Sequence, residues 1–364
     1  MGKILISGYY GFDNAGDDSV LYGIINSLQK HDASLQFSVL SNQPKKTEQM
    51  FGIAAYNRWN FIEVIGQLKK HDLLLMGGGS LLQDATSPRS VLYYLGTVVV
   101  AKMLKKPVVF YAQGVGPVTK KISKFLIRWI VNKVDVITVR DYESGEDLKK
   151  LGVIHRPIIV TADPAITIPA SSINLSVGKN ILNALNIDPQ KTIAVSVREW
   201  KKEEHFKDIL AEVADHYAAL GWNIIFIPMQ YPADILPSEE IRKRMKYKSN
   251  SYVIKKPLHF KEIMSLIGNI RLVLGMRLHS IILAAVMNVP FVGISYDPKI
   301  DRFVERIDMR LAGHIKNLQT DNVIANIDYI IDHEQEIKET LAKNITDIIA
   351  KAEKSSELTI KQIK

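Results

Sequence analysis

Residues 271–280, Arg-Leu-Val-Leu-Gly-Met-Arg-Leu-His-Ser, place an arginine and a histidine where a strand would give way to a helix. Residues 272–274 predict a short buried strand that Gly275 ends, and residues 280–286 lack breakers, as a helix does. Arg277 and His279 therefore fall at the junction. Unpaired backbone N–H groups and the positive end of a helix dipole favour an anion there, and arginine adds a fixed charge with paired donors. The stretch predicts an anion site beside a titratable imidazole.

The elements that must position these residues follow from alternating apolar and amphipathic segments. In the first half the predicted strands are 4–7, 35–40, 72–76, 108–111, 136–139 and 158–161, and the predicted helices are 19–29, 61–69, 91–104, 122–131 and 143–151. In the second half the predicted strands are 193–197, 223–228, 252–254, 272–274 and 291–294, separated by helices at 206–220, 241–246 and 259–267 and one after His279. This β-α alternation predicts parallel, doubly wound sheets.

The length of 364 residues exceeds the ~250–300 at which a single core usually stops growing, so two domains are expected. We predict a Rossmann-like domain over 1–165, a linker rich in proline and serine over 166–190, a second Rossmann-like domain over 191–325 and a polar helical tail over 326–364. Two such α/β domains would face a cleft.

The switch-point rule for doubly wound sheets decides which strand ends collect ligands, commonly those of the first and fourth strands. In the second half these ends carry Arg198 and the Arg277–His279 stretch, so the three side chains are predicted to approach one crevice. The alternative is that Arg277 caps a neighbouring carbonyl and His279 is an interior histidine with satisfied partners. Equivalent positions in the first half hold two glycine-rich loops, 8–18 and 76–84.

Those first-half loops and the one after the strand at 108–111 supply candidates for binding neutral hydroxyls or acting as a base. The candidate residues are Asn14, Asp17, Asp18, Gly78, Gly79, Asp84 and Gln113. Each has a structural alternative, because one of the paired aspartates can cap the following helix and glycines also make sharp turns. The loops lack the G-x-G-x-x-G and P-loop spacings, which disfavours NAD or ATP chemistry.

Composition excludes several classes of site. The chain contains no cysteine, which removes disulfides, thiolate metal sites and cysteine nucleophiles. Its nine histidines show no metal-binding spacing, and no G-x-S-x-G elbow is present, so we predict no metal and no serine nucleophile. The apolar runs are too short to span a bilayer or act as a secretion signal, which predicts a cytoplasmic protein.

The charge balance indicates anionic partners. Lysine and arginine number 47 against 38 acidic residues, a net charge of +9, but the basic residues are dispersed and no nucleic-acid module accompanies them. Phosphorylated small molecules, an acidic membrane face and a merely solvated surface all account for such a charge.

Five segments in order resemble the polysaccharide pyruvyltransferase family, most closely its CsaB type. They are Gly-Tyr-Tyr-Gly-Phe-Asp-Asn-Ala-Gly-Asp-Asp, Met-Gly-Gly-Gly-Ser-Leu-Leu-Gln-Asp, Tyr-Ala-Gln-Gly-Val-Gly-Pro, Val-Ser-Val-Arg and Gly-Met-Arg-Leu-His-Ser, spread over residues 4 to 300. The resemblance implies a fold similar to the GT-B glycosyltransferases. It also implies transfer of pyruvate from phosphoenolpyruvate to a sugar as a ketal, on polymers that anchor surface-layer proteins to the cell wall.

The resemblance assigns the phosphoenolpyruvate site to Arg277, Leu278 and His279, with Arg198 as a further phosphate or carboxylate ligand. His279 is the candidate either for proton delivery to the methylene carbon or for assisting the departure of phosphate. An imidazole with a pKa near 6.5 suits proton transfer in either direction. No cofactor is expected beyond phosphoenolpyruvate itself as co-substrate, and the acceptor is expected to be a glycan, lipid-linked at the membrane face. The competing hypotheses are a nucleotide-sugar glycosyltransferase or epimerase on the same architecture, and a non-catalytic glycan-binding protein.

Overall fold

The structure is a computed structural model that describes residues 2–84, 88–200 and 203–363. It divides into two compact units that are not contiguous in sequence. The N-terminal unit consists of Met1–Phe12, Asp17–Ile168 and Ile348–Lys364, and the C-terminal unit consists of Asp13–Gly16 and Pro169–Asp347. Each unit is built on its own parallel sheet.

The sheet of the N-terminal unit reverses its strand order between its first and fourth strands. Its strands are β1 (Lys3–Ser7), β2 (Gln36–Ser41), β3 (Ala54–Asn57), β4 (Leu73–Met76), β5 (Gly79–Leu82), β6 (Val108–Val115), β7 (Val136–Val139) and β8 (Ile158–Val160). The order is β3-β2-β1-β4-β6-β7-β8, with β5 paired to β6 and all pairings parallel. The central strands β4 and β6 are buried along their whole length, as expected for parallel strands covered on both faces.

Helices separate these strands in sequence. They are α1 (Ala15–His31), α2 (Pro44–Phe51), α3 (Phe61–Lys70), α4 (Pro88–Met103), α5 (Lys121–Val131) and α6 (Tyr142–Lys150). The sequence prediction omitted α2, β3 and β5. The first is too polar to show an apolar face. The two strands, Ala-Ala-Tyr-Asn and Gly-Ser-Leu-Leu, lack the continuous run of apolar or β-branched residues that marks the equally short β4 and β7.

The C-terminal unit repeats the plan. Its strands are β9 (Thr192–Ser196), β10 (Asn223–Phe226), β11 (Ser251–Val253), β12 (Leu272–Gly275), β13 (Phe291–Ser295) and β14 (Arg310–His314), in the order β11-β10-β9-β12-β13-β14. Its helices are α7 (Leu175–Ala184), α8 (His205–Ala219), α9 (Ile235–Arg244), α10 (Phe260–Ile267), α11 (Leu278–Val286), α12 (Pro298–Arg306) and α13 (Thr320–Asp332). Ser196 pairs with Gly275, so β9 and β12 end level with each other at the switch point.

Part of the stretch predicted as a linker folds onto the C-terminal unit as α7. The backbone N–H of Gly178 donates to Ser265 Oγ at 2.7 Å, and a Cβ on Gly178 would lie 2.3 Å from the Ser265 carbonyl oxygen. The backbones of α7 and α10 are therefore in close contact at Gly178 and Ser265. The glycine that looked like a linker residue in sequence is a close-packing residue in the structure.

The last helix, α14 (Glu334–Ile360), ends inside the N-terminal unit. Ser356 Oγ lies 2.6 Å from Ser27 Oγ and 2.5 Å from Tyr111 Oη, and Ser355 Oγ donates to Thr161 Oγ1 at 3.0 Å. These hydroxyls are buried and satisfy one another, which explains how so polar a segment can pack in an interior.

Candidate active site

Arg277 is held by an acidic residue at the carboxyl edge of the C-terminal sheet. It is the N-cap residue of α11, and its Nε donates to Asp234 Oδ2 at 3.0 Å while Nη2 donates to Asp234 Oδ1 and, at 3.3 Å, to Gln230 Oε1. Within the described residues Nη1 makes no hydrogen bond to protein. A two-pronged pair of this kind fixes the guanidinium in one plane with one edge still available.

Asp234 anchors that pair, and sequence reasoning missed it. Its side chain is only 1 % exposed, and Oδ2 also accepts the backbone N–H groups of Met229 at 3.2 Å and Gln230 at 2.9 Å. The residue lies in the irregular connection between β10 and α9, where no periodic pattern marks it. Only the fold shows that this aspartate faces the end of β12.

Arg198 meets the phenol of Tyr296 directly after β9. Its Nη1 donates to Tyr296 Oη at 3.0 Å, and its Cζ lies 5.0 Å from the centroid of the Tyr296 ring and 5.4 Å from that of Trp200. Arg198 Nε is buried and has no hydrogen-bond partner within the described part of the chain. The residue therefore has an unused donor in the interior of the site.

Tyr296 lies among three positive charges. It follows β13 and is buried, with Lys299 Nζ 5.3 Å from its ring centroid. Burial by itself would raise the pKa of the phenol, but the charges of Lys299, Arg198 and Arg277, with the hydrogen bond from Arg198, lower it below its ordinary value. Arg198 and Arg277, which the strand order predicted to lie near each other, thus both lower the pKa of the same hydroxyl. Tyr296 and Lys299 were not predicted, although their place at a strand end was a usable signal.

His279, the second residue of α11, is half-buried and lies against the start of α1. A Cβ on Gly16 would be 2.4 Å from His279 Nδ1, so only glycine leaves room for the ring. Residues Asp13–Gly16 are tied to this unit because Ala15 N donates to the Met229 carbonyl at 2.8 Å. Leu278 is buried, so its contribution to an anion would come from its backbone N–H in the first helical turn.

The three candidate residues at the start of α1 have different surroundings: Asn14 caps the helix, and Asp17 lies near the loop after β4. Asn14 caps the helix, with Oδ1 accepting from Gly16 N at 3.1 Å, so neither aspartate is needed as the cap. Asp17 and Asp18 lie in the first turn, and Asp18 is buried. Asp17 Oδ1 is 3.3 Å from where a Cβ on Gly79 would be.

The glycine loop itself is explained largely by geometry. Gly79 has φ of +95°, a conformation that favours glycine, and a Cβ on Gly78 would lie 3.0 Å from Val20 and 3.2 Å from Pro164. Gln113 is buried and donates from Nε2 to the carbonyl oxygens of Met76, at 2.9 Å, and Gly77. This amide braces the turn that follows β4.

Asp84 is saturated with hydrogen bonds. Its carboxylate accepts from Thr119 N at 2.8 Å, Thr119 Oγ1 at 2.9 Å and Lys120 N at 2.9 Å. Burial opposes the ionised form, but these donors outweigh it and lower the pKa of Asp84 to about 2. A carboxylate with so low a pKa and with three donors in place is a weak base.

Two further observations concern the whole described chain. Across residues 2–84, 88–200 and 203–363, no group of three or more acidic or histidine side chains is arranged to hold a metal ion. In the same ranges no helix has the length and apolar character needed to cross a membrane.

Solved structures with the same architecture are found at low sequence identity. Anabaena Alr3699/HepE, solved in complex with UDP-glucose, superposes with a TM-score of 0.71 at 11 % identity, covering 99 % of this chain and 100 % of that one. S. aureus MnaA, solved with UDP, gives a TM-score of 0.70 at 14 % identity, covering 99 % and 95 %. These neighbours have the GT-B glycosyltransferase fold, and the predicted fold class is confirmed.

Sequence comparison identifies the family. Amylovoran biosynthesis protein AmsJ of Erwinia amylovora is 22 % identical over 404 residues, which cover 94 % of this chain and 95 % of AmsJ. The family model described as polysaccharide pyruvyl transferase matches residues 14–298, a range that begins at the α1 cap and includes both Arg198 and the Arg277–His279 stretch. The chain belongs to the polysaccharide pyruvyl transferase family.

Proposed function

We propose that this protein transfers pyruvate from phosphoenolpyruvate to two hydroxyls of one sugar, forming a cyclic ketal and releasing phosphate. The observation that carries the proposal is the cluster of Arg198, Arg277 and Lys299 around Tyr296 at the switch point of the C-terminal sheet. A small, multiply charged anion is the natural ligand for such a cluster. We assign the donor to the C-terminal unit and the acceptor sugar to the N-terminal unit.

Phosphoenolpyruvate would bind to N–H groups that have no hydrogen-bond acceptor among the described residues. Within the described residues Arg198 Nε has no hydrogen-bond partner, and the hydrogen bonds of Arg277 all come from Nε and Nη2, which leaves Nη1. Helix α11 begins with Leu278 and His279, whose backbone N–H groups have no partner inside the helix. Guanidinium groups and a helix N-terminus are complementary to carboxylate and phosphate. Phosphoenolpyruvate carries both groups on three carbons.

The chemistry requires protonation of the methylene carbon, stabilisation of positive charge at C2 and departure of phosphate. His279 is proposed to donate a proton in one of these steps, since it lies on the first turn of α11, two residues after Arg277. No cofactor beyond phosphoenolpyruvate is proposed. The cations stabilise the phosphate as its charge develops.

On the acceptor side we propose that Asp17, Asp18, Gly78 and Gly79 of the N-terminal unit contribute to the sugar site. Asn14, the other candidate from this loop, belongs to the C-terminal unit and caps α1 there. Asp17 is the stronger candidate for a base than Asp84, because the Asp84 carboxylate is occupied by three donors and has a pKa of about 2. Gln113 supports the same loop through its bonds to backbone carbonyls.

We further propose a CsaB-type role in the cytoplasm. The acceptor would be a hexose or N-acetylhexosamine unit of a secondary cell-wall polymer precursor, lipid-linked at the inner membrane face, and the product would serve surface-layer anchoring. The name of AmsJ places that relative in amylovoran biosynthesis, and the matching family model is described as polysaccharide pyruvyl transferase; together they support a polysaccharide substrate here. The net charge of +9 would favour contact with anionic lipid.

Phosphate release from phosphoenolpyruvate in the presence of an acceptor glycan tests the proposal. Arg198→Ala, Arg277→Ala and His279→Ala should each reduce release at least ~10²-fold, the range for loss of a catalytic group. Arg310→Ala is the matched control, since Arg310 lies 3.3 Å from the Tyr329 ring and outside the site. Normal turnover in all three site variants would refute the assignment.

A nucleotide-sugar enzyme is the second candidate, because the solved neighbours were crystallised with UDP or UDP-glucose. Thermal stabilisation distinguishes the two, since a ligand at 100 times its Kd stabilises the folded protein by ~2.7 kcal/mol. We expect this shift with phosphoenolpyruvate. A shift with UDP-glucose alone would favour the second candidate, and binding without phosphate release under any acceptor would indicate a glycan-binding protein.

A further inference from the structure

Among the described residues, the hydroxyl of Tyr296 has a hydrogen-bond donor as its partner but no acceptor. Arg198 Nη1 donates to Tyr296 Oη at 3.0 Å, so the phenolic oxygen acts as acceptor in that bond. Within the described residues no protein oxygen or nitrogen accepts the hydrogen of Tyr296 itself. A tyrosine hydroxyl can accept and donate at once. Its proton is therefore available to a ligand in the same site.

The position of Tyr296 places it beside the predicted anion ligands. It follows β13, and β13 pairs with β12 in parallel register, with Gly275 opposite Gly293. The end of β12 leads directly to Arg277, and the end of β9, on its other side, leads to Arg198. Three adjacent strands thus deliver two guanidinium groups and one phenol to a single edge of the sheet.

The charged groups around the phenol favour its ionised form. Arg198, Arg277 and Lys299 lower its pKa against the opposing effect of burial. Three carboxylates of the same unit are engaged with other groups: Asp297 with Lys299 Nζ at 3.3 Å, Asp301 with Ser295 Oγ at 2.5 Å, and Asp234 with Arg277. An acid whose conjugate base is stabilised by three cations releases its proton more readily than an isolated phenol.

We propose that Tyr296 is the catalytic acid that protonates the methylene carbon of phosphoenolpyruvate, an inference that rests on the proposed function. The π electron pair between C2 and C3 takes the proton from Tyr296 Oη, which converts the methylene to a methyl group and leaves C2 electron-deficient. The tyrosinate that remains is stabilised by Arg198 and Lys299. The proton lost by the first sugar hydroxyl as it adds to C2 restores the phenol.

The remaining half of the reaction then falls to His279. The C2–O bond to phosphate breaks with its electron pair going to phosphate, and the second hydroxyl adds to C2. The proton of this second hydroxyl leaves with the phosphate, and His279 is the group proposed to carry it. One proton has reached the methyl group and one the phosphate, which accounts for both sugar hydroxyls.

A purely structural role for Tyr296 makes a different prediction. The ring packs against Trp200, with centroids 4.5 Å apart and planes at 53°, and it lies against Arg198. Tyr296→Phe keeps the ring and these ring contacts, and removes only the hydroxyl with the hydrogen bond it accepts from Arg198. A structural residue would then lose stability or phosphoenolpyruvate affinity. If Tyr296 is the proton donor, the Tyr296→Phe variant should lose turnover, while bound phosphoenolpyruvate should still stabilise the protein.

The experiment compares wild type, Tyr296→Phe and Tyr217→Phe for phosphate release and for thermal stabilisation by phosphoenolpyruvate. Tyr217 is the matched control, because it is buried in the same unit and its hydroxyl donates to Asp328 Oδ1 at 2.7 Å. We expect kcat to fall ~10²- to 10³-fold in Tyr296→Phe, with the phosphoenolpyruvate shift unchanged, and kcat to be unchanged in Tyr217→Phe.

The pH profile gives a second, independent readout. Wild-type kcat should decline at alkaline pH as the phenol loses its proton, which gives the pH profile an alkaline limb. The profile of Tyr296→Phe should lack this limb. Lys299→Gln removes one nearby cation and should move the limb to higher pH. The inference is overturned if Tyr296→Phe keeps kcat within threefold of wild type, or if it loses phosphoenolpyruvate binding in proportion to kcat. A wild-type protein that releases no phosphate from phosphoenolpyruvate would instead refute the proposed function itself.

Discussion

Removing the carboxylate of Asp234 should destabilise the C-terminal unit far more than removing an exposed one. The side chain of Asp234 is 1 % exposed and that of its partner Arg277 is 13 % exposed. Deleting one member of a buried ion pair leaves an uncompensated charge and typically costs ~3–5 kcal/mol. In Asp234→Ala the backbone N–H groups of Met229 and Gln230 also lose their acceptor, which places the expected cost at the upper part of that range.

Urea unfolding followed by a probe in the C-terminal unit measures this cost. Asp208→Ala is the control, because Asp208 also pairs with an arginine, at 2.7 Å from Arg244 Nη1, but its side chain is 56 % exposed. Exposed pairs contribute ~0–1 kcal/mol. We therefore expect the midpoint of Asp208→Ala to stay close to wild type while that of Asp234→Ala falls clearly.

A double-mutant cycle separates the pair from its surroundings. The cycle compares Asp234→Leu, Arg277→Met and the double variant. Replacing both partners by apolar residues removes the uncompensated charge, so part of the stability lost in Asp234→Leu should be recovered in the double variant. An interaction free energy of ~1 kcal/mol or more is expected. If Asp234→Ala costs no more than Asp208→Ala, or if the double variant is simply the sum of the singles, the account of Arg277 as a residue locked by Asp234 is refuted.

Two further predictions concern the carboxylate of Asp84 and the imidazole of His279. The pKa of Asp84 in the folded protein is lowered to about 2, so its ionised form stabilises the fold above the ordinary pKa near 4, and this stability is lost as pH falls from there toward 2. Asp84→Asn should therefore flatten the pH dependence of the free energy of unfolding in that window. An unchanged pH dependence would contradict the lowered pKa. In Gly16→Ala the added Cβ would lie 2.4 Å from His279 Nδ1, so the imidazole must move. Phosphate release should therefore fall ~10-fold or more, without loss of helix stability. Gly66→Ala, in α3 with no atom within 4 Å, is its control and should leave turnover unchanged.

Local pattern was sufficient for the architecture because burial imposes its period on consecutive residues. The strands through 72–76 and 136–139 and the helices at 61–69 and 122–131 were predicted within a residue or so of β4, β7, α3 and α5. The alternation of these elements predicted parallel sheets, and the switch-point rule then singled out the ends of β9 and β12.

The sequence by itself therefore determined the fold class, the family motifs and the two strand ends that carry Arg198 and Arg277. Only the tertiary structure decided what those arginines contact: Asp234 from an irregular connection and Tyr296 from the end of β13. It also decided that Gly16, far away in the chain, lies against His279. The reason is that periodicity reports which face of a segment is buried. The partner of a charged side chain depends on which distant backbone arrives at the same sheet edge, and no local pattern carries that information.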